Sequence, residues 1–105
     1  MKTTPFGFAA ALALASAGVW AAPIDDVMTK AGCMACHTKD KKLVGPAFKE
    51  IAAKYKGQAD VVPKLMDKVR KGGAGVYGPV PMAPNPPDKI NDADLKAAVE
   101  SILKS

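Results

Sequence analysis

Cys33-Met34-Ala35-Cys36-His37 places two thiols three residues apart and an imidazole directly after the second. On a helical turn, side chains at i and i+3 share a face. The two sulfurs can therefore add to the vinyl groups of one porphyrin, while the next side chain directs a ring nitrogen at the iron. CxxCH is in this sense the attachment signature of a c-type haem. Two other chemistries use the same residue types. A thiol redox pair needs a βαβ context, of which the chain carries no pattern. A tetrahedral zinc site needs four ligands, and the chain holds two cysteines and one histidine.

Because His37 is the only histidine, an iron held there has no second imidazole. Its sixth position falls to Met, Lys, a terminus, water or nothing. Of the five methionines, Met1 belongs to a leader and Met34 lies inside the attachment loop. Met28 and Met66 occupy apolar positions of expected helices, where methionine fills core gaps. Met82 lies in Gly78-Pro79-Val80-Pro81-Met82-Ala83-Pro84-Asn85-Pro86-Pro87, a stretch with five prolines. A backbone stiffened in this way loses little entropy when it holds a weak thioether on a metal. Met82 is thus the candidate axial ligand, with His37 opposite; a buried loop contact is the alternative reading of the same residue.

The elements that must position these groups are short and helical. The chain contains no internal repeat and no sustained period-two alternation, which points to an all-α fold. A first helix with Asp25 as N-cap turns Val27, Met28 and Ala31 to one side and breaks at Gly32 and Cys33. A second, over residues 47–56, aligns Phe48, Ile51, Ala52 and Tyr55 and ends at Gly57. A third, over residues 61–71, has Asp60 as N-cap, tolerates Pro63 in its first turn and stops at Gly72 and Gly73. The last begins at Asn91, with Ile90 and Leu95 at the positions of a hydrophobic staple. Its stripe of Leu95, Val99, Ile102 and Leu103 should pack against the first helix. The Gly/Pro-rich stretch 72–87 is expected to be irregular.

Residues 1–21 differ in composition from the rest: Lys2 precedes an uncharged, alanine-rich run that reads as a signal peptide for export to the periplasm. Cleavage after Ala21 puts Val19 and Ala21 at the small-residue positions that a signal peptidase reads. Removing 21 of the 105 residues leaves 84, one small domain over 22–105 whose side-chain core alone is marginal. A covalent apolar cofactor would supply the missing stabilisation. The full chain has 15 basic and 10 acidic side chains, the basic ones scattered singly or in short clusters. No basic stripe or aromatic stacking face suits nucleic acid. Such a balance fits docking to acidic protein faces or, at most, peripheral contact with a membrane.

With CMACH, the Gly45-Pro46 pair in KLVGPAF and the GPVPMAPN loop in hand, the sequence resembles the small bacterial class I cytochromes c of the c-551/c-552 type over nearly all of residues 22–105. The resemblance implies three to five short helices wrapped around one covalently attached haem c, with His/Met ligation and electron shuttling between respiratory complexes. It also implies that the Pro46 carbonyl accepts a hydrogen bond from the His37 imidazole, that Asn85 supports the Met82 ligand, and that Val44, Phe48 and Ile51 form part of the haem wall. Members often carry tryptophan before the Gly-Pro of the methionine loop, where this chain has Tyr77. A phenol can donate to an inner propionate in place of the indole. Lys68 and Arg70 both fall near the family's basic propionate partner, and the sequence does not separate them.

A six-coordinate iron leaves no position for substrate, so the expected function is a monomeric single-electron carrier rather than an enzyme. Its partners would be a donor complex and a terminal oxidase or reductase. Lys30, Lys39, Lys41 and Lys42 flank the attachment segment and form a candidate docking face. The rival reading is a five-coordinate haem that binds or reduces a small ligand.

Overall fold

The computed structural model describes Thr3 and residues 23–105, so the expected signal peptide and its cleavage point lie outside the described residues. Four α-helices follow in order: α1 (Ile24–Lys30), α2 (Phe48–Tyr55), α3 (Val61–Lys71) and α4 (Asp92–Leu103), with a 3₁₀ turn at Cys33–Ala35 after α1. No strand forms among the described residues. The 72–87 stretch is irregular as expected, apart from one isolated antiparallel bridge between Gly73 and Met82.

α4 is the organising element and packs on α1, α2 and α3. Its start is specified locally: Asn91 is extended, and its Oδ1 accepts the Asp94 N–H at 2.8 Å. Asp92 and Asp94 add negative charge where the helix dipole is positive. Ile90 and Leu95, the two ends of the staple, are both buried. Leu95, Ala98 and Val99 then join Met28, Ala31, Phe48, Ile51 and Ile90 in one core cluster, against which Val62, Leu65, Met66 and Val69 of α3 pack at i, i+3, i+4 and i+7 spacing.

Two caps differ from the sequence expectation. The N-cap of α1 lies two residues early: it is Pro23, whose carbonyl accepts the Asp26 and Val27 amides at 2.9 and 3.1 Å. Proline's fixed φ suits this entry, and Asp25 falls in the first turn, where its carboxylate pairs with Lys39 at 3.2 Å. Asp60 precedes α3 as expected, but its φ of 57° is left-handed and its side chain caps nothing. A capping side chain needs an extended backbone. The short link from α2 to α3 reverses through Gly57, at φ 76°, and again at Asp60, a residue type that tolerates this region.

Replacing Asn91 by Ala should lower the unfolding free energy by about 1 kcal/mol, whereas Asn91→Gly should cost only a few tenths. Denaturant unfolding followed by circular dichroism checks the difference.

Candidate functional site

Gly32, at φ 87°, reverses the chain after α1 into the 3₁₀ turn that carries the cysteines. The Cys36 and His37 amides both return to the Cys33 carbonyl, at 3.2 and 3.0 Å, which tightens the turn. Three backbone bonds then fasten it to the next segment: Gly45 N–H to the Cys36 carbonyl at 2.7 Å, Phe48 N–H to Thr38 at 2.9 Å and Lys49 N–H to Lys39 at 3.1 Å.

His37 is held on several sides. Its Nδ1 lies 2.7 Å from the Pro46 carbonyl. A carbonyl only accepts, so Nδ1 carries a proton, and in the neutral imidazole the free lone pair is then on Nε2. Phe48 stacks on the imidazole with centroids 5.4 Å apart and planes inclined by 20°. Gly45 is there because nothing larger fits: a Cβ on it would lie 2.6 Å from the imidazole Cε1.

Cys33, Cys36 and His37 line one cavity of about 360 Å³ together with Met82, within the roughly 300–1,000 Å³ range of pockets that bury cofactor-sized molecules. Its wall is mostly apolar. Val44, Phe48 and Ile51, the expected wall residues, all contribute, as does the whole 73–83 segment. Met28 also reaches the wall but is 1% exposed, in the core, and Met66 packs on the core from α3 without lining the cavity. The methionine-loop backbone is fixed by a reciprocal pair, Met82 N–H to Gly73 at 2.8 Å and Gly73 N–H to Met82 at 3.0 Å. Gly72 lies so near that an added Cβ would overlap the Met82 carbonyl.

Asn85 acts on this loop through its backbone. Its main-chain N–H and its Nδ2 both donate to the Val69 carbonyl, at 3.1 and 3.3 Å, and Nδ2 also donates to Ala83 at 3.0 Å. Lys68 and Arg70, which the sequence left level, separate here. Lys68 lines the cavity, while Arg70 spends its guanidinium on the Asn85 and Ile90 carbonyls and the Asp92 carboxylate. Tyr77 also lines the cavity, with its hydroxyl buried and without a partner among the described residues. Burial first, then Tyr55 and Glu50, push its phenol up to about 12, so at neutral pH it remains a donor.

The thiol-exchange and zinc readings lose support. Redox cysteines are activated by a lowered pKa, whereas burial pushes the Cys33 thiol up, against smaller opposing effects of its own backbone hydrogen bond and Lys89. No group of three or more His, Cys, Asp or Glu able to hold a metal occurs among the described residues.

A family model for cytochrome c matches residues 21–105. The chain belongs to the cytochrome c family. It is 45% identical over 103 residues to cytochrome c-552 of Nitrosomonas europaea, covering 98% of this chain and 97% of that one. It is 49% identical over 80 residues to cytochrome c2 of Rubrivivax gelatinosus, covering 76% and 94% respectively. The crystal structure of wild-type Nitrosomonas europaea cytochrome c552 superposes with a TM-score of 0.71 at 44% identity, over 76% of this chain and 96% of that one. A monohaem cytochrome c with one covalently attached haem c is an electron-transfer protein rather than an enzyme.

The residues present suit that cofactor: an apolar cavity, a free imidazole lone pair, and an unpartnered phenol as donor for a polar edge. Leu65, Val69, Leu95, Val99 and Ile102 also line the cavity, a role that sequence reasoning missed. Their spacing is the same whether a helix face covers protein or cofactor. The close approach of Gly45 to the His37 ring likewise has no local signal beyond the Gly-Pro pair.

Gly45→Ala should force the imidazole aside and lower stability by about 1–3 kcal/mol, the usual range for overpacking. Guanidinium unfolding of the variant beside the unsubstituted protein measures the loss.

Proposed function

We propose that the chain is a periplasmic single-electron carrier in which Cys33 and Cys36 bind the haem covalently and iron is held between His37 Nε2 and Met82 Sδ. The observation that carries this reading is the convergence of both cysteines, the only histidine and Met82 on one apolar cavity. Bound haem supplies a one-electron ferric/ferrous couple, and methionine ligation with burial favours the ferrous form. The chain supplies the rest. Pro46 fixes the imidazole tautomer, Gly73 fixes the Met82 backbone and Asn85 the Ala83 carbonyl that follows it, and apolar walls keep water out. Lys68 and the Tyr77 hydroxyl are the groups available to the propionates. Export rests on the leader-like composition of residues 1–21. No described helix is long and apolar enough to cross a membrane.

The ferric holoprotein should be low-spin with a thioether-to-iron charge-transfer band. Met82→Ala should lose that band, bind carbon monoxide rapidly when reduced and show a lowered potential. A high-spin spectrum and rapid carbon monoxide binding in the unsubstituted protein would instead establish the five-coordinate reading.

Partner docking through positive charge is part of the same proposal. Lys30, Lys39, Lys41 and Lys42 are all exposed in the attachment region; Lys39 pairs with Asp25 only at the surface. Exposed Val44, Val76 and Val80 belong to the cavity wall, with Lys42 beside them. Such a face draws in acidic partners as a monomer. The bimolecular electron-transfer rate with an acidic redox protein should therefore fall as salt rises past about 0.1 M, where the Debye length shrinks below roughly 10 Å. Stopped-flow kinetics across ionic strength checks it, and a flat profile counts against the docking face.

A further inference from the structure

Pro79, Pro81, Pro84, Pro86 and Pro87 remove five amide donors from the segment around Met82 while leaving every carbonyl in place. A loop of this kind has an excess of acceptors, and a side chain rich in donors must come from elsewhere to hold it. Arg70, on the last turn of α3, is placed for that. Its Nη1 donates to the Asn85 carbonyl at 3.0 Å and to the Ile90 carbonyl at 2.7 Å, and its Nη2 pairs with the Asp92 carboxylate.

The three acceptors span the chain from three residues after Met82 to the first turn of α4. The guanidinium side chain is 19% exposed, whereas Asp92 is 83% exposed. An ion pair to so exposed a carboxylate is weak, while charge-assisted bonds from a half-buried guanidinium to carbonyls are not. The carbonyl bonds are thus the part that acts on the loop. Neighbouring bonds point the same way: the Val69 carbonyl, among the last four of α3 and so without a helical partner, accepts both the Asn85 amide and its side chain.

We propose that Arg70 is a positioning residue that latches the methionine loop onto α3 and α4 and so keeps Met82 from leaving the iron. The latch rests on the assignment of Met82 as sixth ligand. Gly73 pairs with the main chain of Met82 itself, so the loop is clamped at Met82 and again, through the latch, three residues on. Losing the downstream clamp lets Met82 swing away without unfolding the helices.

The test uses ferric holoprotein and imidazole as the displacing ligand, following loss of the thioether-to-iron band. Absence of that band in the unsubstituted protein overturns the Met82 assignment, and the latch with it. With the band present, Arg70→Gln should speed displacement by about tenfold or more, the size implied by losing charge-assisted bonds. Arg70→Lys, which keeps the charge but loses the planar fork, should fall between and serves where the glutamine variant yields no holoprotein. Lys96→Gly, in α4 and exposed, weakens the fold through helix propensity and the loss of a surface ion pair to Glu100, both remote from the methionine loop, and should leave the displacement rate unchanged. Equal rates in the Arg70 variants and the unsubstituted protein, or an equal rise in Lys96→Gly, overturn the latch while leaving the Met82 assignment standing.

Discussion

The 2.7 Å bond from His37 Nδ1–H to the Pro46 carbonyl decides which imidazole nitrogen faces the cavity, and much of the chain between α1 and α2 serves to keep it. The turn at Gly32 presents the cysteines, three backbone bonds tie residues 36–39 to the following segment, and Phe48 stacks on the ring that Gly45 leaves room for. A histidine ligand is oriented and made more basic by the partner of its other nitrogen. Here that partner is a main-chain carbonyl on a proline, which cannot change protonation state.

The other side of the cavity is built on an opposite principle. Prolines make the methionine loop stiff but poor in donors, so its order is borrowed from α3: the Gly73 bridge, the Val69 carbonyl and the Arg70 guanidinium. The end of α3 has unpaired carbonyls of its own, and the loop supplies Asn85 to satisfy one. Helix terminus and loop complete each other, which couples the placement of Met82 to the packing of α3 on α4.

That coupling reaches the core. Leu95 and Val99 are among the most deeply buried side chains, and both also line the cavity. In a domain this small there is too little chain to build a core and a separate cofactor pocket. The helices close around a space that a large apolar cofactor completes, so cofactor binding and folding stability draw on the same surfaces.

CxxCH, the single histidine and the proline-bound Met82 made the attachment chemistry and the candidate ligands legible in sequence, because each depends on residue type and local spacing. Helix identities were legible for the same reason, and so was the Asn91 cap, where the side chain meets an amide three residues on. The caps at Asp25 and Asp60 were not, since a cap depends on backbone angles that neighbouring turns impose. Nor could spacing divide Lys68 from Arg70, two residues apart on one helix. Only tertiary structure turns Lys68 to the cavity and commits Arg70 to carbonyls 15 and 20 residues away. Contacts at that separation arise from how helices pack, which no local pattern encodes.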